Sequence, residues 1–182
     1  MCIRDRCNAS GLMVTHDPEE AMAICNKVAV MNEGEIHQID TPINLLNNPK
    51  TIFVSSFILG NNILNLQKNG NTYMSCLGEI NSSDLLNNST IKSMSISPKF
   101  ISIKRSESGN AIVISKEFLG DFLIYKVSIN EEILRVRTNI NNQLNNGDKC
   151  FLSINKNGYY FLYPGAQKAV SYTHLTLPTI AK

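Results

Sequence analysis

The chain has 182 residues, a formal net charge of +2 and 43% hydrophobic residues. This length holds one ordinary domain or two small ones, and no apolar run approaches the roughly 18 residues that a membrane-spanning helix needs. The balanced charge argues against nucleic acid as a partner, and five scattered cysteines without a C-x-x-C pair predict neither a disulfide framework nor a zinc site.

Residues 11–60 carry an α/β pattern. An apolar strand at Leu12–Thr15 is expected to lead into a helix that begins at Pro18, with Asp17 as its N-cap and Glu20 completing a capping box. Further along, the pattern predicts strands at 27–31 and 35–39 joined by a turn at 32–34, a short helix from 42 to 48, and an apolar helix over 50–59.

The Gly60-Asn61-Asn62 segment marks a boundary, beyond which short strands alternate with turn signals such as Asn69-Gly70. The predicted strands are 63–67, 72–76, 93–96, 100–104, 111–117, 122–129, 133–137, 150–154 and 159–162. Strands at this spacing predict a small β-barrel or sandwich over residues 61–164. Residues 1–10 and 165–182 fit neither pattern and stay unassigned. We interpret both ends as partly translated sequencing-adaptor read-through, which comparison of the coding DNA with adaptor sequence would test.

An ordered series of motifs resembles the ATP-binding subunits of ABC transporters. Val14-Thr15-His16-Asp17, Glu19-Glu20-Ala21, residues 28–36 and Thr41-Pro42 resemble the region from that family's switch histidine to the end of its nucleotide-binding domain. The following segments resemble the junction to a C-terminal TOBE domain and that domain's landmarks: 53–54, 57–58, 60–64, 96–99, 118–121 and 147–148. Ser97 and Lys99 depart from the family, which often has Arg and Glu around this proline.

The resemblance implies the fold class and the domains. Residues 11–60 would be an α/β remnant of a P-loop NTPase domain, and residues 61–164 an all-β, OB-like TOBE barrel. It also implies a bacterial importer for polyamines, ferric iron, sugars or phosphonates. The implied partners are a second copy of the ATPase subunit, membrane permease subunits and, indirectly, a periplasmic binding protein. The implied location is cytoplasmic, peripheral on the inner face of the plasma membrane.

His16 is the candidate site residue, because the resemblance makes it the switch histidine that contacts the γ-phosphate of ATP. An imidazole suits this role, since it donates a hydrogen bond to a phosphate oxygen at neutral pH, and phosphoryl transfer depends mostly on positioning and electrostatics. The corner also lies where open α/β folds collect phosphate ligands. The plain alternative is a solvent-exposed loop histidine. Asp17 is interpreted as a helix cap, the Glu19-Glu20 pair as a complement to the helix dipole, and no metal ligand is predicted.

Other motifs of the family are missing from the sequence. It contains no G-x-x-x-x-G-K-[ST] loop, no apolar strand ending in Asp-Glu, no LSGGQ-type signature and no glutamine loop. In the family all of these precede the histidine, so we interpret the chain as a C-terminal fragment. ATP and Mg²⁺ are expected cofactors of the intact parent, and the fragment alone is expected to show neither ATPase activity nor tight ATP binding.

Two alternatives from other classes remain open. A stand-alone TOBE-type module would bind an oxyanion such as molybdate, using Arg135 and Arg137 on one strand face with Lys126 on a partner strand; a solvated charged face is the simpler interpretation. An OB-type nucleic-acid binder is disfavoured by the net charge of +2. Of the other histidines, His37 is interpreted as a surface residue, and His174 in the tail receives no role.

Overall fold

The computed structural model describes residues 11–70, 72–80, 91–155, 159–164 and 174–176. Three short helices and a hairpin make up the first part: α1 Pro18–Ile24, β1 Val28–Asn32, β2 Glu35–Asp40, α2 Pro42–Asn47 and α3 Ile52–Leu59. The hairpin is antiparallel, with Asn32 opposite Glu35, and its two turn residues Glu33 and Gly34 have φ of 50° and 81°. Positive φ at both central positions matches the right-handed twist of the strands, so the predicted hairpin is confirmed.

The predicted strand at Leu12–Thr15 is wrong. These residues belong to no sheet, and Leu12 and Val14 are 95% and 90% exposed. An extended segment becomes a strand only when a neighbour accepts and donates its backbone hydrogen bonds, and no strand of the described residues lies beside this one.

Side chains cap the helices α2 and α3. The Thr41 hydroxyl accepts a hydrogen bond from the Asn44 amide at 3.4 Å, and the Thr51 hydroxyl accepts one from the Val54 amide at 3.2 Å. Gly60 ends α3 in the left-handed region with φ of 59°, a conformation that favours glycine. The chain therefore turns sharply where the sequence pattern changes from helices to strands.

The second part is a set of antiparallel sheets. Its strands are β3 Asn62–Asn65, β4 Gln67–Asn69, β5 Thr72–Ser75, β6 Gly78–Ile80, β7 Ile91–Ile96, β8 Ile101–Arg105, β9 Ala111–Phe118, β10 Phe122–Ile129, β11 Glu132–Asn139, β12 Lys149–Ile154, β13 Tyr159–Pro164 and β14 His174–Thr176. They form a five-stranded sheet in the order β11-β10-β9-β12-β8, a four-stranded sheet in the order β14-β13-β7-β3, and a three-stranded sheet in the order β4-β5-β6.

A closed barrel does not appear among the described residues. The five-stranded sheet curls until its edge strands β8 and β11 come near each other, but they do not pair. The β-rich character is confirmed, whereas the OB-like barrel is not. Two details also differ from expectation: the predicted strand 63–67 divides between two sheets, and β6 was not predicted because Gly78-Glu79-Ile80 is too short to show alternation.

Two apolar clusters organise the chain. The smaller consists of Val28, Val30, Leu45 and Val54, with side chains of α1 packed against it. The larger contains 21 buried side chains from β3 through β13, including Leu64, Tyr125 and Leu134. At its centre the hydroxyl of Tyr125 donates to the carbonyl of Asn142 at 2.7 Å and accepts from the Leu144 amide at 3.1 Å, so the buried phenol is fully satisfied.

Polar side chains join the two parts. The hydroxyls of Ser55 on α3 and Ser95 on β7 lie 2.5 Å apart, and the Asn61 amide donates to both, at 3.1 and 3.0 Å. Next to them, Asn62 exchanges two hydrogen bonds with the backbone of Arg135, at 2.8 and 2.7 Å. Because both serines are buried, these bonds fix where the last helix of the first part meets the sheets.

Candidate functional site

The His16 corner is built on the N-terminus of α1. The Asp17 carboxylate accepts hydrogen bonds from the amides of Glu19 at 2.9 Å and Glu20 at 3.4 Å, and its backbone is extended. Pro18 occupies the first helical position, where its missing N–H costs nothing. The predicted N-cap and the predicted helix start are therefore confirmed.

The second half of the predicted capping box, in which the Glu20 carboxylate would accept directly from the Asp17 amide, is wrong. The Glu20 carboxylate accepts from the hydroxyl of Thr15 at 2.8 Å, and the Thr15 hydroxyl accepts from the Asp17 amide at 3.0 Å. The threonine hydroxyl thus stands between the glutamate and the amide that a capping box would join directly. This relay ties the residues on both sides of position 16 to the first turn of the helix.

His16 lies at the bend between these two fixed residues, and its side chain is exposed. No hydrogen bond of its ring is found among the described residues. The backbone is therefore held in place while the imidazole stays available to an external partner. This placement suits a residue that meets a ligand supplied from elsewhere, but it does not itself assign a ligand.

The surroundings of His16 supply little else for nucleotide chemistry. The carboxylates of Asp17 and Glu20 are already engaged in the cap and the threonine relay. Within the described residues, no group of three or more His, Cys, Asp or Glu side chains is placed to hold a metal ion. The described part of the corner therefore places one candidate phosphate donor, His16, without a cluster of candidate metal ligands beside it.

His37 is structural rather than a surface histidine. Its Nδ1 lies 3.2 Å from the hydroxyl of Thr51, the residue that caps α3, and its ring lies 4.9 Å from that of Phe53. These contacts half-bury the imidazole between β2 and α3. The sequence pattern missed them because the partners lie 14 and 16 residues further along the chain. His174 belongs to β14, and its side chain lies outside the described part of the chain.

The basic strand face that could bind an oxyanion carries its own counter-charge. Lys126 forms an ion pair with Glu117 on β9 at 2.7 Å, and the hydrogen bond from Lys126 lowers the pKa of Glu117. The guanidinium of Arg137 lies 3.6 Å from the centre of the Phe122 ring. Glu117 and Phe122 are the members of this face that sequence reasoning did not include, and they fit a solvated charged surface more readily than an open anion site.

Within the described residues, none of the helices has the length and apolar character needed to cross a membrane. No protein-family model matches the chain.

Parts of several curated proteins are similar to this chain. It is 51% identical over 63 residues to the spermidine/putrescine import ATP-binding protein PotA of Bacillus cereus (strain ZK / E33L), a match covering 35% of this chain and 18% of the relative. It is 48% identical over 62 residues to PotA of Desulfitobacterium hafniense, covering 34% and 18%. It is also 46% identical over 56 residues to the sn-glycerol-3-phosphate import ATP-binding protein UgpC of Roseobacter denitrificans, covering 31% and 16%.

The chain spans less than a fifth of the length of these relatives. The relatives are ATP-binding subunits of importers with different named substrates, so the similarity follows the type of subunit rather than the substrate. Over about a third of its length, this chain is a homologue of the ATP-binding subunits of ABC importers.

Proposed function

We propose that this chain is the C-terminal part of the ATP-binding subunit of an ABC-type importer, with His16 as the switch histidine that contacts the γ-phosphate of ATP. The observation that carries the proposal is the similarity of 46–51% identity to such subunits. The geometry adds support, because Asp17 and Thr15 hold the backbone on both sides of an exposed imidazole.

The chemistry assigned to His16 is limited to one contact. An imidazole N–H fixed at this corner would donate to a phosphate oxygen and stabilise the charge that develops there during hydrolysis. The described residues include no metal-ligating cluster, and the sequence has no phosphate-binding loop. These residues alone do not fit MgATP, so no step of the hydrolysis is assigned to this chain by itself.

The domains, partners and location of the subunit follow from the same proposal. In the intact subunit, residues 61–164 would form the TOBE domain, packing against a second copy, while the α/β part would contact membrane permease subunits that receive cargo from a periplasmic binding protein. The subunit would then work in the cytoplasm, peripheral on the inner face of the plasma membrane. The named substrates of the relatives include a polyamine and an anionic phosphate ester, so no cargo is proposed.

The first test uses the 182-residue chain alone. Calorimetric titration with ATP in the presence of Mg²⁺ is expected to give no saturable heat, since one histidine donor cannot replace a phosphate-binding loop. Tight, magnesium-dependent ATP binding would overturn the assignment of the chain as an incomplete part of the site.

The second test places residues 11–60 in the context of a complete subunit. A chimera of the Bacillus cereus PotA protein that carries this segment at the matching position is expected to hydrolyse ATP. His16→Ala in that chimera is expected to lower kcat about 10²-fold or more, the usual effect of removing a preorganised electrostatic donor. Glu19→Gln, at an exposed position three residues away, is the matched control and should leave kcat unchanged. Equal kcat values for the two variants would contradict the proposed role of His16.

The oxyanion-binding alternative has its own test. Titration of the chain with molybdate, tungstate and sulfate is expected to give no heat, because Lys126 is neutralised by Glu117 and Arg137 covers Phe122. If the chain binds molybdate saturably and Arg135→Ala abolishes that binding, the result would contradict the importer proposal and favour a stand-alone oxyanion-binding module.

A further inference from the structure

A polar cavity of about 220 Å³ lies between the three-stranded sheet and the turn that joins β10 to β11. Its lining residues come from both sides of this gap: Asn65, Gln67, Met74, Ser75, Cys76, Asn130 and Glu132. The volume is several times the roughly 30 Å³ share of one water molecule and below the approximately 300 Å³ at which drug-sized pockets begin. The cavity therefore has room for a small molecule of a few heavy atoms.

Glu132 is the charged residue of this lining. Its Oε1 accepts a hydrogen bond from the side-chain amide of Asn65 at 3.1 Å. Its Oε2 is shielded from solvent and has no hydrogen-bond partner among the described residues. A carboxylate oxygen that loses its water without gaining a donor carries a desolvation penalty, so this carboxylate is under-compensated.

The other lining residues do not supply the missing positive charge. The thiol of Cys76 lies beside Glu132, and burial, followed by the interaction with the nearby Glu132 carboxylate, raises the pKa of this thiol to about 12. The thiol therefore stays protonated at neutral pH and is only a weak donor. None of the described residues that line the cavity is a Lys, Arg or His. A metal ion is also a poor match. Cys76 and Glu132 are the two candidate ligands in this lining, and the described residues nowhere form a group of three or more His, Cys, Asp or Glu side chains that could hold a metal.

The uncharged lining residues narrow the class of ligand. The amides of Asn65, Gln67 and Asn130 offer further acceptors around the carboxylate, while Met74 provides one apolar wall. The Ser75 hydroxyl is already engaged, since it donates to the Gly78 carbonyl and accepts from the Leu77 amide. An ammonium group carries three compact donors and a full positive charge, so it matches one carboxylate surrounded by amide oxygens.

We propose that this cavity is a binding site for the ammonium group of a small polar amine, with Glu132 as the counter-ion and the amides of Asn65 and Asn130 as further acceptors. The site lies wholly in the second part of the chain, so it does not depend on the proposed role of His16. Its test leaves the ATP proposal untouched, and failure of either proposal is visible separately.

The experiment titrates the isotopically labelled 182-residue chain with two probes of equal charge and follows the side-chain amide signals of Asn65 and Asn130 by NMR. Ethanolamine carries three N–H donors and a hydroxyl when protonated; choline keeps the charge and the hydroxyl but has no N–H donor. Ethanolamine is expected to cause saturable shifts of these signals, and choline is expected to bind about tenfold or more weakly, because a hydrogen bond to a charged group is lost. Equal binding of the two probes, or shifts with neither, would overturn the proposal.

A pair of adjacent glutamates provides the matched variants. Glu132→Gln removes the charge that lines the cavity and is expected to weaken ethanolamine binding about tenfold or more. Glu131→Gln removes the same charge from the exposed neighbouring turn position and is expected to leave binding unchanged. Equal effects of the two variants would show a non-specific attraction and contradict the assignment. The ethanolamine–choline contrast in the unsubstituted chain decides the question even where a variant does not fold.

Discussion

Residues 11–61 and residues 62–164 differ in how much of their apolar surface they bury by themselves. The first part has a cluster of four buried side chains, whereas the second has 21 in one cluster. On the β1–β2 hairpin, Met31 lies opposite Ile36 and Ala29 opposite Ile39, so these four residues share one face. Met31, Ile36 and Ile39 are each 56% exposed.

The exposed face indicates that the first part depends on contacts beyond the described residues, while the second part supplies its own core. A contiguous apolar face on one side of a hairpin marks a contact surface rather than a solvated one. Under the proposed function, such a face would meet the remainder of a nucleotide-binding domain. The comparison therefore predicts that the two parts lose structure under different conditions.

The sharpest test substitutes one fully buried leucine in each part. Leu64→Ala in the larger cluster is expected to lower the free energy of unfolding of the sheets by about 2–5 kcal/mol through lost burial and a cavity. Leu45→Ala is expected to unfold the first part locally while the sheets keep their unfolding midpoint. Near-UV circular dichroism of the tyrosine-rich sheets, combined with NMR signals of β1 and β2, separates the two effects. If Leu45→Ala lowers the midpoint of the sheets as much as Leu64→Ala does, the two parts form one cooperative unit.

A substitution at Gly109, where the backbone lies very close to that of Cys150, is expected to have the next largest effect on stability. A Cβ atom at Gly109 would lie 2.1 Å from the carbonyl oxygen of Cys150, so Gly109→Ala forces the backbone of β12 to move. We expect a loss of about 1–3 kcal/mol, measured by denaturant unfolding of the sheets. Gly11→Ala is the control, because no atom of the described residues lies within 4 Å of a Cβ there. An unchanged midpoint for Gly109→Ala would contradict the packing of the β8–β9 turn on β12.

The predictability of the fold follows the range of the interactions that determine each element. Local signals were sufficient where the information lies within a few residues, as at the Asp17 cap, the Glu33-Gly34 turn and the two strands β10 and β11. They failed for Leu12–Thr15, because a strand is defined by a neighbour and not by its own pattern. They also failed to show whether the sheets close into a barrel.

The candidate sites divide in the same way. His16 was found through a resemblance spread over adjacent motifs, and the structure adds only how the corner is held. The ion pair of Lys126 with Glu117 and the cavity beside Glu132 were missed, because their members come together only by strand pairing and sheet packing. In the cavity, Cys76 and Glu132 lie 56 residues apart in the sequence.

The joint between the two parts predicts a smaller, coupled effect. The hydroxyls of Ser55 and Ser95 are buried and hydrogen-bonded to each other. In a double-mutant cycle with Ser55→Ala and Ser95→Ala, we expect a coupling energy of about 1 kcal/mol, since either single change leaves a buried hydroxyl with one partner fewer. Additive effects would mean that this contact does not hold the helix against the sheets.

The smallest expected effect is on the stability of the sheets at acidic pH. The hydrogen bond from the Asn145 amide, at 2.8 Å, and then the Arg105 guanidinium lower the pKa of Asp148 in the turn before β12. A carboxyl with a lower pKa in the folded state stabilises that state above its unfolded pKa, and this contribution is lost as the pH falls through the folded value. The sheets of Asp148→Asn should therefore lose less stability between about pH 5 and about pH 2 than those of the unsubstituted chain. Parallel pH profiles of the two unfolding midpoints would contradict this.

Native-state hydrogen exchange of the 182-residue chain tests the contrast between the two parts most directly. The amides of β10 are expected to exchange only through global unfolding of the sheets, while those of β1 and β2 exchange through local opening at a much lower free energy. Equal protection of β1, β2 and β10 would show that the first part is as self-sufficient as the second, and would contradict the account.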